Sequence, residues 1–346
     1  MRSSEAARAA PIHEPRRVHL RGPLDLPASL ERFRRWGDDL LERWDGEILV
    51  ATAPTPDGPL AFAARPVGSV EEPAADVLVD PSVGSDAAAR SHIPGLLAAH
   101  LRAMFVGRPE AVVGLADLAS RDPVVAALAG RYRGLHPVLQ RDPLTALVRS
   151  ISAQQVNLRW AATTRHRLAE AYGREHAVAG RTVRSLDAAT LAAASVDALR
   201  ALQFTRAKAV AIVAVARAVA DGGYGLTALE ALPDEAVIAR LIALPGVGPW
   251  TAEWFLARTL GRPRVVAGDL GVRKAVGAAY LGRPAARRAP LPSETEVRAA
   301  TAHWGAAAGI VQQLLLQWLG DGAPPLAPPS VAPRTGDDLR PGGDGA

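Results

Sequence analysis

The stretch Leu244-Pro245-Gly246-Val247-Gly248-Pro249-Trp250-Thr251-Ala252 decides the fold of this 346-residue chain. Two glycines flank one apolar residue, and a proline follows directly. Helical patterns lie on both sides: Ala236, Ile238, Ala239 and Ile242 before it, Ala252, Trp254, Phe255 and Ala257 after it. Reversing the chain within so few residues calls for backbone with positive φ, which glycine adopts without steric cost. Pro249 suits the first position of a new helix, where its missing N–H is not needed. The expectation is a tight hairpin of two helices, with glycine amides and a helix N-terminus open to solvent. Such a group binds anions, phosphate first among them. Gly268-Asp269-Leu270-Gly271 follows after a short gap. Asp269 precedes a further helical run, where aspartate is a favoured N-cap. A carboxylate at a helix mouth beside a phosphate grip can also do chemistry, and the two roles are compatible.

Composition sets the bounds. Charged residues make up 22% and the apolar set 49%, as in soluble globular proteins, and the length allows two domains. The formal net charge is +5, almost wholly from arginine, since Lys208 and Lys274 are the only lysines. That excess fits either a polyanion partner or a genome-wide arginine bias. With no cysteine, disulfides, thiolate zinc sites, iron–sulfur clusters and cysteine nucleophiles are excluded. No apolar run reaches the roughly 18 residues that a membrane span needs, and the N-terminus lacks a signal-type apolar core. A cytoplasmic, nucleoid-associated location is expected.

Patterning divides the chain into a flexible basic arm at 1–19, an α+β domain at 20–112, a helical body at 113–320 and a disordered Pro/Gly-rich tail at 321–346. In the second segment Glu47–Ala53, Leu60–Ala64 and Asp76–Val79 read as strands of a small antiparallel sheet split by Pro- and Gly-bearing turns. A helix is predicted around Ala28–Arg43. Beyond 91 helices dominate, with one opened by Asp142-Pro143, another at 157–172, and others at 187–201, 206–220, 234–243, 249–260, 270–281 and 306–319. Ser293-Glu294-Thr295-Glu296 has the form of a capping box. The fold class is mainly α, α+β overall.

The hairpin, with Gly268-Asp269-Leu270-Gly271-Val272-Arg273-Lys274-Ala275 at its spacing, resembles the helix-hairpin-helix, Gly/Pro…Asp (HhH-GPD) superfamily of DNA glycosylases. Within it the chain resembles the 3-methyladenine DNA glycosylase II branch. Leu147-Val148-Arg149-Ser150-Ile151-Ser152-Ala153-Gln154-Gln155-Val156-Asn157, Asp122-Pro123-Val124-Val125 and Leu199–Ala209 agree with the branch as well. The resemblance implies a monofunctional hydrolase that flips alkylated purines, of the 3-methyladenine and 7-methylguanine type, out of duplex DNA. It would cleave the N-glycosidic bond and leave an abasic site, acting as a monomer.

The resemblance assigns roles residue by residue. Asp269 would be the catalytic carboxylate. Amides of Gly246 and Gly248, with Val247 and Thr251, would hold phosphates. Main-chain carbonyls of Ile242, Leu244 and Val247 would coordinate a structural Na+ or K+, no other cofactor being required. Trp250 falls where the branch sets an aromatic against the flipped base and where strand-cutting relatives carry a lysine. Trp254, Gln154 and Trp304 would complete the base pocket, His303, Gln312 and Gln313 the far wall, with Gln155 entering the gap left by the base. The chemistry agrees: a cationic alkylated purine is already a good leaving group, so the transition state needs an anion beside the developing oxocarbenium. Indole faces attract a cationic base. Where the branch has an arginine-bearing segment, this chain has Trp304-Gly305-Ala306-Ala307-Ala308-Gly309. That departure leaves base range open. Two rivals remain, a non-catalytic damage-binding protein that keeps the hairpin and a same-fold enzyme for oxidised or deaminated bases.

Overall fold

A computed structural model describes residues 15–55, 58–79, 87–105, 109–286 and 289–326. Five strands open the chain: β1 (Arg16–His19), β2 (Arg43–Trp44), β3 (Leu49–Ala53), β4 (Leu60–Gly68) and β5 (Pro73–Val79). They form one antiparallel sheet in the order β1-β5-β4-β3-β2, with Val50 opposite Ala63 and Ala63 opposite Leu78. Side-chain parity sends Leu49, Ala51, Leu60 and Phe62 to one face, where they pack on Leu30, Phe33, Leu97 and Leu101. Ile48, Val50, Ala61 and Ala63 face the other way, onto Val178 and Val183. Those two valines belong to a second sheet, the hairpin of β6 (Gly173–Val178) and β7 (Arg181–Leu186). Cover on both faces is why the central strands read as continuous apolar runs rather than as an alternation.

The structure corrects several expectations. Residues 16–19, expected in the flexible arm, form β1, with Val18 opposite Ala75 and Arg17 paired to Asp76 at 2.8 Å. Residues 1–14 and 327–346 lie outside the described residues, and with them most of the predicted arm and tail. The helix expected over Ala28–Arg43 is two short ones, Leu26–Leu30 and Arg32–Arg35. Gly37 takes φ +114, and the carboxylates of Asp38 and Asp39 bond the amides of Leu40 and Leu41, offering the backbone a turn in place of a helix. The segment 187–201 is likewise split, because the Ser195 hydroxyl caps a second helix, Val196–Ala201. The β6–β7 hairpin was not anticipated. Its strands are largely polar, and its two-residue turn uses Ala179 at φ +50 with Gly180 at φ +71.

Two cores build the helical body. One joins Leu147, Val148 and Ile151 of helix Pro143–Ala153 to Ile212, Val215, Phe255 and Leu256. The other joins Leu118, Leu128, Val272, Val276, Val311 and Trp318. The hairpin's second helix, Pro249–Arg258, belongs to the first core and helix Leu270–Tyr280 to the second, so the candidate site sits at their seam. The predicted capping box closes at Ser293 and Glu296. Among the described residues no helix is long and apolar enough to cross a membrane.

An ion cluster fastens the sheet unit to this body. Arg149 forks onto Asp39 at 2.7 and 2.9 Å and also pairs with Glu42, while Arg165 Nε reaches Asp39 Oδ2 at 2.8 Å. Burial opposes ionisation of Asp39, yet the two guanidiniums overcome it and hold its carboxyl well below the usual carboxylate range. Burial pushes Glu42 the other way, upward. Removing one partner of such a buried set strands the others, a loss of about 3–5 kcal/mol. Asp39→Asn should therefore lower stability by an amount approaching that figure at pH 7. Because the folded pKa is depressed, the Asp39 contribution is complete above the unfolded value near 4 and drains as pH falls toward the folded one. Urea melts from pH 7 to pH 3 should show the gap between wild type and variant closing in acid; a constant gap would contradict the coupling.

Candidate active site

The turn is built as the glycines demand, though the two glycines do different things. Gly246 takes φ +75, and a Cβ there would meet the Ala211 Cβ at 2.6 Å. Gly248 does not need positive φ. Its backbone is extended, at φ −105 and ψ 179, and a Cβ would meet nothing within 4 Å. Val247, between them, is 5% exposed and plugs the turn into the first core. Gly248 is the N-cap of Pro249–Arg258 and supplies no side chain, so the first amides of that helix have no side-chain cap. The Gln154 amide donates to the Gly246 carbonyl at 3.0 Å and to the Thr251 hydroxyl at 3.2 Å, holding the turn against the end of helix Pro143–Ala153.

Asp269 spends both its oxygens. As N-cap of Leu270–Tyr280 it accepts from Gly271 N at 2.8 Å and Val272 N at 3.0 Å, both on Oδ1. Oδ2 accepts from the indole Nε1 of Trp250 at 3.0 Å and of Trp254 at 3.3 Å. The two rings meet edge to face, centroids 6.5 Å apart. Spacing explains this: residues 250 and 254 are one helical turn apart on one face of the hairpin helix. Arg258, one turn further, lays its guanidinium 5.2 Å from the Trp254 centroid and donates to Gln313 Oε1 at 2.7 Å. The result is an anion fixed at the edges of two half-buried indoles.

The predicted residues thus divide. Asp269, Trp250 and Trp254 come together, and Gln154 reaches the hairpin as a strut. Gln155 stands exposed beside it at φ +54, a left-handed conformation that costs a glutamine strain. Thr251 departs from expectation. It is 1% exposed, and its hydroxyl accepts from the Gln154 amide rather than facing solvent. Trp304 departs as well, being 2% exposed in the second core against Tyr280 and His303. The chain bends at Gly305, φ +50, within the 3-10 turn Ala302–Ala307, and the preceding indole packs inward. Of the far wall, His303 pairs with Asp122 at 2.8 Å, and Gln312 is buried with its Oε1 on Val266 N. Arg258 was missed, although an arginine four residues after Trp254 on an apolar helix face was a legible signal.

Comparison with known proteins agrees with this geometry. Residues 148–302 match the family described as HhH-GPD superfamily base excision DNA repair protein. Over 187 residues the chain is 36% identical to the "Probable bifunctional transcriptional activator/DNA repair enzyme AlkA" of Mycobacterium tuberculosis, an alignment covering 52% of this chain and 35% of that protein. It is 27% identical over 148 residues to a Bacillus subtilis DNA-3-methyladenine glycosylase, covering 42% and 49% of the two. The chain thus spans half or less of these relatives' lengths. A solved 3-methyladenine DNA glycosylase from Archaeoglobus fulgidus superposes with a TM-score of 0.70 at 21% identity, covering 87% of this chain and 97% of that one, and so shares its fold. The HhH-GPD match is thus confined to residues 148–302, under half of the chain.

The unequal glycines make a paired test. Gly246→Ala should destabilise the fold by about 1–3 kcal/mol, from positive φ and the clash with Ala211. Gly248→Ala should melt like wild type yet bind duplex DNA several-fold more weakly, since its methyl would stand at the uncapped helix mouth. Melting curves and DNA titrations check both; a Gly248→Ala protein with undiminished affinity would remove the hairpin from the interface.

Proposed function

We propose that this HhH-GPD chain is a DNA glycosylase that flips an alkylated purine out of duplex DNA and hydrolyses its N-glycosidic bond, leaving an abasic site. One observation carries the reading: the carboxylate of Asp269 is fixed beside two indoles and next to an uncapped helix mouth. Phosphates of the damaged strand dock at Gly246 and Gly248, and the flipped base stacks against Trp250 and Trp254 at an unstacking cost of a few kcal/mol. As the bond between the sugar carbon and the base nitrogen breaks, its electron pair leaves with the base and positive charge grows on the sugar. Asp269 stabilises that charge without having to reorganise, because four donors already fix its position. Water then adds to the sugar carbon and gives its proton to solvent.

A monofunctional enzyme is the reading that the site residues favour. By the resemblance, Trp250 falls where strand-cutting relatives carry a lysine, and Lys208 donates an N–H to the Ser152 carbonyl at 2.9 Å. No cofactor is required for the reaction. The turn suits a structural Na+ or K+ held by the carbonyls of Ile242, Leu244 and Val247: Leu244 O accepts from Val247 N at 3.2 Å and keeps a second lone pair. Double-stranded DNA carrying cationic 3-methyladenine or 7-methylguanine is the proposed partner, and the chain acts as a monomer.

Methylated duplex DNA tests this. Wild type should release free methylpurine, and Asp269→Asn should lose about two to three orders of magnitude in rate, the scale on which a fixed electrostatic group counts. Asparagine still caps the helix, so folding and DNA affinity should persist. That affinity should fall steeply with added salt, as phosphate contacts require. Full activity in the variant would assign the chemistry elsewhere, and binding without release by wild type would favour a damage-binding protein.

A further inference from the structure

Arg258 is 8% exposed on the helix that carries Trp250 and Trp254. Its Nη2 is held by Gln313, but its buried Nη1 has no hydrogen-bond partner among the described residues, and none of their carboxylates forms an ion pair with it. The charges that act on it are Arg32, of like sign, and Asp269, of opposite sign; burial, reinforced by Arg32 and opposed by Asp269, pushes it down to about 9. An unpaired buried guanidinium is a costly way to fill space, since a methionine would occupy the same volume without the desolvation. Its surroundings suggest what it is for. The cation lies over the face of Trp254, and Asp269 takes the N–H at the edge of the same ring.

We propose that Arg258 sets the charge selectivity of the base pocket, a role that rests on reading the pocket as a glycosylase site. Asp269 alone would present an unopposed anion beside two electron-rich rings and would favour positively charged guests steeply. The guanidinium offsets part of that field and takes up part of Trp254's own attraction for cations. The pocket then offers a nearly neutral pair of charges, and neutral guests compete with cationic ones. Arg258 does not touch the reacting atoms; it acts through Trp254 and Asp269.

Two abasic DNA analogues test this without base release: a pyrrolidine, cationic at the sugar, and a tetrahydrofuran, neutral there. Arg258→Met should raise the affinity ratio of pyrrolidine to tetrahydrofuran duplex roughly five- to tenfold, the scale of one opposing charge at partly screened range. Arg258→Lys, which keeps the charge, should hold the wild-type ratio to within about twofold. Since an unpaired charge is being removed, the methionine variant should melt no lower than wild type. Equal change in both affinities, a lysine variant that behaves like methionine, or a methionine variant that no longer folds would each overturn the proposal and make Arg258 a packing residue. A wild type that frees no methylpurine would sink the glycosylase reading instead, while the affinity ratio would still decide the role of Arg258.

Discussion

Asp269 accepts four hydrogen bonds, two from backbone amides and two from indoles. The rest of the site depends on that sharing. One oxygen starts helix Leu270–Tyr280, which belongs to the second core; the other orients two rings on Pro249–Arg258, which belongs to the first. The carboxylate thus sets the rotation of one helix against the other, and with it the direction in which the hairpin amides face. Four donors from two helices hold the carboxylate in one orientation. The N-cap bonds that start the helix are thus also what fix the carboxylate beside the indoles.

Much of this was legible in the sequence, and the reason is locality. The hairpin, the helix-opening prolines, the capping box and the Asp269 N-cap are each written within a few consecutive residues. What escaped depended on contacts distant along the chain. Thr251 falls at a helix start among the residues the resemblance assigns to phosphates, and only the approach of Gln154, from the end of a different helix, shows its hydroxyl turned inward. Trp304 reads as a pocket aromatic until the bend at Gly305 buries it. Asp39 and Glu42 sit in what looks like a helix, because nothing nearby announces that Arg149 and Arg165 will claim them. The β6–β7 hairpin lacks the apolar alternation that marks a strand, since few of its side chains meet the main sheet.

Those distant contacts also tie the sheet unit to the site. Asp39 grips Arg149 on helix Pro143–Ala153; the end of that helix presents Gln154; and Gln154 holds Gly246 and Thr251 of the hairpin. Every link is a hydrogen bond or ion pair between elements packed on one core. The sheet unit therefore braces the helix whose end carries Gln154 and Gln155.

One feature bears on how such a chain can change over time. Strands β6 and β7 fall within the helical body by sequence, yet Val178 and Val183 cover a face of the N-terminal sheet. Each piece covers apolar side chains of the other. A descendant that discarded the first eighty residues would leave those valines bare, and one that trimmed the hairpin would uncover Ile48, Val50, Ala61 and Ala63. Selection sees the two segments as a single inheritable part, so they should be gained or lost together.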